Sequence, residues 1–286
     1  MDQCFFDIHN DIILPERLNC PFYYEPAEAC REAWRAVMKD IEAMEEWHEE
    51  ISCGKMFGVM VVRTTDGKTG FLRAYSGQIG GREDWPGWVP AVFDYLSPGG
   101  YFMTREAEIS EINRAIDVGE RDLRVAMMRA RLSKMQEEAT RRIEDYRNMM
   151  AESKRKRRER RENGEPEETL IRESQFQKAE LKRLKAALAA EIKPIEDALG
   201  DHDMRMATLR RQRKEMSDRL QQWLFSNFIM MNSKGERRSL LEIFANTPQR
   251  IPPSGAGECC APKLLQYAFA HGMKPLAIAE FWWGRS

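Results

Sequence analysis

From about residue 104 to residue 233 the chain follows one rule that few folds can accommodate. Met128, Leu132, Met135, Ala139, Ile143, Tyr146 and Met150 recur at three- and four-residue steps, and so do Leu181, Leu184, Leu188, Ile192, Ile195 and Leu199. The positions between them are mostly charged residues, Gln or Ala. A single apolar seam on a charged helix is buried best against a second seam of the same kind, which is the coiled-coil condition. Asn163-Gly164-Glu165-Pro166 stops one helix and starts the next. The pattern predicts an antiparallel helical hairpin. A first arm of about 55 residues would be roughly 80 Å long at 1.5 Å per residue. Pro194 and Gly200 are expected to kink or break the second arm.

The flanks read differently. Residues 1–103 and 234–286 are expected to be two parts of one small α/β globular domain, interrupted by the 104–233 insertion, so the fold class is α+β. Residues 1–27, with Pro15, Pro21, Pro26 and Phe22-Tyr23-Tyr24, read as an extended arm whose aromatics pack on the domain. Residues 28–51 read as a helix, with Trp34, Val37, Met38, Ile41 and Met44 along one side. A β-hairpin follows: Met56–Val62, a turn at Thr65-Asp66-Gly67-Lys68, then Gly70–Tyr75. Ser76–Gly81 reads as a loop and residues 82–102 as an irregular aromatic segment. Residues 234–258 are rich in loop residues, and a helix is expected from about 260 to 271. Leu276–Trp283 is apolar on both faces, which suits a buried strand. The sequence stops three residues later, so the domain is expected to be truncated at its C-terminus.

Composition narrows the function classes. The 286 residues hold 45 basic and 46 acidic side chains, a net charge of −1. That balance disfavours a uniformly basic nucleic-acid binder and leaves local patches as the route to such contact. No apolar run approaches the roughly 20 residues of a membrane span, so no membrane partner is expected. The N-terminus lacks the basic-then-apolar order of a secretory signal. Six cysteines, dispersed except for Cys259-Cys260, read as reduced thiols of a cytoplasmic protein.

Two segments are candidates for chemistry. At the hairpin tip, Lys154, Arg155, Lys156, Arg157, Arg158, Arg160 and Arg161 make seven cations in eight positions, a candidate RNA-phosphate contact. The competing reading is a solvated helix end whose cations suit the C-terminal dipole. Cys259-Cys260 stands at a loop-to-helix junction after Ser254-Gly255-Ala256-Gly257-Glu258. A thiol there could react or hold zinc, but zinc needs about four ligands and no histidine has matching spacing. No cofactor is expected on the chain's own terms, and packing against the strand is the simpler reading. Glu258 is expected to cap the helix start. Gly77, Gly80 and Gly81 could approach a phosphate, though no P-loop accompanies them. Trp282 and Trp283 read as core more readily than as base-stacking platforms. His9 and His48 stand alone and read as surface or core histidines.

Several segments carry a resemblance. Asn19-Cys20-Pro21-Phe22-Tyr23-Tyr24, Gly54–Val59, Gly70–Gly77, Trp88–Asp94 and Gln221–Phe225 belong to it. So do Ser254-Gly255-Ala256-Gly257-Glu258-Cys259-Cys260-Ala261-Pro262-Lys263-Leu264-Leu265 and Glu280-Phe281-Trp282-Trp283-Gly284. Together they resemble the N-terminal extension of a bacterial subgroup of RluA-type RNA pseudouridine synthases. The resemblance implies an accessory module that precedes a C-terminal synthase domain, with rRNA or tRNA as the partner. That domain would carry the H-R-L-D motif whose aspartate attacks uridine. No such motif occurs here, so the chain itself has no catalytic residue to assign and is not expected to isomerise uridine alone. In the resembling proteins a further cysteine-containing segment follows, which could complete a metal site with Cys259 or Cys260.

The order hairpin, Cys260-Ala261-Pro262 helix and apolar strand is also similar to the core of the cytidine-deaminase-like fold. There the helix start carries a proton-shuttling glutamate beside zinc. Pro262 stands in its place, so a degenerate zinc domain is one alternative. A coiled-coil interaction module, dimerising through the hairpin, is the other.

Overall fold

The computed structural model describes residues 3–8, 13–19 and 25–285. Phe22-Tyr23-Tyr24, Cys20, Pro21 and His9 lie outside the described residues. The architecture is mixed helix and sheet, and the chain divides into two units, residues 1–106 with 217–286 and residues 107–216.

The first unit is built on a four-stranded antiparallel sheet. Its strands are β1 (Phe6–Asp7), β2 (Lys55–Arg63), β3 (Thr69–Tyr75) and β6 (Lys274–Trp283), in the order β1-β3-β2-β6. The turn joining β2 to β3 passes through Gly67 at φ 86°, a conformation that glycine adopts without steric cost. Residues 1–27 were expected to be an extended arm; within it Phe6 and Asp7 add a short strand opposite Phe71 and Gly70.

Strand β2 shows why this core needs two covering helices. Successive side chains point to opposite faces. Phe57, Val59 and Val61 pack with α1 (Glu28–Ala43), through Ala29, Ala33, Val37 and Ile41. Met60 and Val62 pack with α7 (Cys260–Ala270), through Cys260, Leu264 and Ala268. A continuous apolar run is therefore the correct sequence for a strand sandwiched between helices. Gly58 lies on the α7 face, and a Cβ there would sit 2.5 Å from the Cβ of Cys260. Absence of a side chain lets the helix start approach the sheet.

Other elements depart from expectation. The helix expected over 28–51 ends at Ala43; a 3-10 turn (Glu45–Trp47) and α2 (His48–Ser52) follow, which seats Trp47 against Phe57, Tyr75, Trp85 and Trp88. Strand β6 lies at an edge of the sheet. Leu276, Ala277 and Ile278 are buried, but Trp282 is 51% exposed, so the strand is buried along its first half only. Within 229–258, expected as helix end and loop, the chain forms β4 (Ile229–Met231), β5 (Arg237–Ser239) and α6 (Leu240–Phe244). Ser239 and Glu242 form a reciprocal capping box at the start of α6.

The 104–233 segment holds three helices: α3 (Tyr101–Glu120), α4 (Leu123–Glu162) and α5 (Glu167–Asn227). A single 55-residue first arm is thus not what forms. The Asp122 carboxylate accepts the Arg124 amide at 2.9 Å, capping α4 and separating it from α3. Helix α5 ends at neither Pro194 nor Gly200. Pro194 removes a donor from Ala190, but both residues are exposed, so that carbonyl can bond to water.

Within the second unit, side chains of α4 and α5 meet at Arg129–Asp203, at 2.5 Å, and at Gln136–Glu196, at 3.1 Å. They meet again at Arg157–Gln177, at 2.8 Å. Except at Leu181, whose neighbour Glu180 is equally half-buried, every apolar seam position named above is less exposed than the residues beside it.

Candidate functional site

The start of α7 gathers a set of buried and half-buried polar groups. Cys260, the first helical residue, is fully buried, and its thiol donates to the carbonyls of Met56 at 3.4 Å and Ala74 at 3.5 Å. Burial holds this thiol well above its ordinary pKa. It behaves as a small core side chain that pins α7 to the hairpin. Cys259 is exposed and its thiol reaches the carbonyl of Gly255 at 3.9 Å. Its pKa is also raised, by partial burial and then by Glu280 and Glu258, which disfavours a reactive thiolate. The two thiols turn to different partners. Among the described residues no group of three or more His, Cys, Asp or Glu side chains is placed to hold a metal ion.

The expected cap is supplied from elsewhere. Glu280 of β6, rather than Glu258, accepts the Ala261 amide at 2.9 Å. A carboxylate at a helix N-terminus satisfies an orphan amide and complements the dipole. Glu258 contributes its backbone carbonyl, which accepts Gly77 N–H at 3.2 Å. Gly80 N–H donates to the Glu50 carboxylate at 2.7 Å. Two of the three loop glycines considered for phosphate contact therefore already have protein acceptors.

Lys263 was not singled out by its sequence, yet it organises the site. It is 2% exposed, and its ammonium donates to the carbonyls of Tyr75 at 3.1 Å and Gly77 at 3.0 Å. Burial lowers its pKa, while the field of Glu83, Cys260 and Glu258 opposes that shift. Glu83 is half-buried, and desolvation pushes its carboxyl up to about 7 even though Lys263 pulls the other way. One Glu83 oxygen is fully enclosed without a hydrogen-bond partner. The Tyr95 phenol has its pKa raised by burial, then by the charges of Glu258 and Glu83. On the other side of the loop Lys55 donates to the Gln78 carbonyl and stands 3.7 Å from Glu50. The ammonium, carboxylates and phenol tie loop 76–81, the hairpin and β6 to one helix end. A lysine one helical turn beyond a cysteine pair gives no periodic signal of such burial.

The remaining candidates separate. Trp283 packs against the core, whereas Trp282 is half exposed and donates to the Arg285 carbonyl at 3.0 Å. His48 bonds the Ile41 carbonyl at 3.2 Å, and His271 stacks on Tyr267 with ring centroids 4.0 Å apart.

The seven cations of the tip all fall in the last turns of α4, but they are not equivalent. Arg157 is buried and bonds Gln177. Arg160 bridges Glu165 and Glu173, and Arg161 grips Glu167, which closes the turn into α5. Lys156 pairs with Glu152 at 2.9 Å, and Arg158 stands 3.5 Å from Glu162 while remaining highly exposed. Lys154 and Arg155 are exposed and form no ion pair with a described residue. Arg160 and Arg161 are thus occupied in building the turn, and Arg157 in joining α4 to α5.

The chain matches no family model, no curated protein and no solved structure.

Proposed function

We propose that this chain is a non-catalytic module of an RNA pseudouridine synthase that binds or positions RNA for a synthase domain carried elsewhere in the protein. In this reading α4 and α5 form an antiparallel coiled-coil hairpin inserted in the α/β domain, the setting is cytoplasmic, and the target is rRNA or tRNA. The observation that carries it is the exposure of Lys154, Arg155 and Arg158 at the end of α4, the first two without an ion pair to a described residue and Arg158 with one long contact to Glu162. Charge distribution supports it. Residues 107–216 hold 27 basic and 23 acidic side chains, whereas the other unit holds 18 and 23. The polar cluster at α7 would keep the domain rigid, since its donors and acceptors are largely spent on each other.

Charge reversal of Lys154, Arg155 and Arg158 tests the reading. RNA affinity should fall, and the slope of log affinity against log salt should shrink by about 0.7 per lost phosphate contact on a single strand. Unchanged affinity and slope would remove the tip from RNA binding.

Dimerisation through the helices is the second reading. It is favoured by Val118, Leu123, Met127 and Met204, each more than 70% exposed in the second unit. Sedimentation of the full chain separates the two, because a concentration-dependent dimer unaffected by RNA supports the interaction module.

A further inference from the structure

The pairing of α4 with α5 makes one long side of these helices more basic than the tip alone. On α4 the seam runs through Tyr146, Met150, Ser153 and Arg157, and on α5 through Gln177, Leu181, Leu184 and Leu188. The residues immediately after each seam position lie along one flank of their helix. On α4 these are Arg147, Ala151, Lys154 and Arg158, and on α5 they are Lys178, Lys182, Lys185 and Ala189. Reversing one helix of a pair brings the two following flanks to the same side. The contacts Arg129–Asp203, Gln136–Glu196 and Arg157–Gln177 fix that antiparallel register. By the offset of the first two contacts Arg147 falls across from Lys185 and Lys154 across from Lys178, and the offset of the third, two residues larger, keeps each pair within about half a helical turn.

All six of these cations are exposed. Five of them have no ion pair with a described residue, and the sixth, Arg158, has one long contact to Glu162. The opposite flank is different: there Lys156 pairs with Glu152, Arg160 with Glu173 and Arg183 with Glu180. Like charges facing each other across two helices repel, and the repulsion is relieved when an anion lies between them. From Arg147 to Arg158 the stripe is roughly 16 Å long at 1.5 Å per residue. Alanines at 151, 179, 186 and 189 leave its surface low and open.

We propose that this side, with Arg147, Lys154 and Arg158 on α4 and Lys178, Lys182 and Lys185 on α5, is a track for the sugar-phosphate backbone of RNA. It rests on the RNA-module reading and moves the contact from the tip to a flank shared by both helices. Four of the six cations lie outside the basic run at the tip.

The test uses the full chain and a labelled RNA stem-loop, with binding measured across a salt series. Lys178→Gln, Lys182→Gln and Lys185→Gln together neutralise the α5 row and keep residues of good helix propensity. Lys156→Gln with Arg183→Gln removes two cations from the opposite flank, and losses are compared per charge removed. The α5 triple variant should bind at least tenfold more weakly and lose about two units of salt slope on single-stranded regions, while the opposite-flank variant binds like the parent. Equal losses in both variants would show general charge attraction and overturn the track. A normal α5 variant alongside a weakened Lys154/Arg155/Arg158 variant would overturn the track and keep the tip reading. A parent chain that binds no RNA would overturn both. Circular dichroism at matched helicity shows that each variant is folded.

Discussion

The ammonium of Lys263 donates to the carbonyl of Tyr75 at 3.1 Å and stands 5.2 Å from the centre of the same residue's ring. One side chain of α7 therefore satisfies the end of β3 and faces its aromatic surface. Replacing it, as Lys263→Met, keeps the apolar stem but leaves the Tyr75 and Gly77 carbonyls without this donor. Buried acceptors left unsatisfied cost about 1–3 kcal/mol each, and relief of the buried charge offsets part of that. Urea unfolding should show a net loss of about 1–3 kcal/mol.

Glu83 sets a pH dependence. Its folded pKa of about 7 lies above the ordinary 4.5. The folded state therefore binds the proton more tightly than the unfolded chain. Stability from this group is full below about 4.5 and is lost as pH rises through about 7. Thermal melts of Glu83→Gln should match the parent near pH 5 and exceed it near pH 8. Solvent screening of this half-buried group limits the gain to about 1 kcal/mol, or roughly 2–4 °C. A parent and variant with parallel melting curves across pH 5–8 would remove Glu83 as the cause.

Gly58→Ala places a methyl group 2.5 Å from the Cβ of Cys260, an atom fixed directly to the α7 backbone. Overpacking of this kind costs about 1–3 kcal/mol. Chemical denaturation reads it directly, and a neutral result would mean that α7 can shift away from the sheet.

Cys53 and Cys259 are exposed, while Cys4, Cys30 and Cys260 are buried. Alkylation of the folded chain followed by peptide mapping should label the first two before the other three. Denaturant should remove the difference.

Asp122→Ala removes the cap of α4 and loosens the start of that helix. The expected signature is local: faster amide exchange over the first turn after residue 122, with little change in the sheet.

The helices and the hairpin were legible in the sequence because their signals are periodic and local. The seam from Met128 to Met150, the Asp66-Gly67 turn and the apolar runs of β2 and β6 each follow from neighbours along the chain. The Asp122 cap was hidden within a charge-rich run, and β4 and β5 are too short to carry a pattern. The candidate site was less legible. Cysteines 259 and 260 are adjacent in sequence, yet one is core and the other is surface.

By itself, then, the sequence determined which segments are helix or strand and where the charge lies, because propensity and apolar period act over a few residues. Tertiary structure alone decided that Glu280 caps α7, that Lys263 is buried between Tyr75 and Gly77, and that Arg157, Arg160 and Arg161 close a turn. Each of these depends on side chains from distant segments meeting, and the free energy of a charge is set by what surrounds it after the chain has folded.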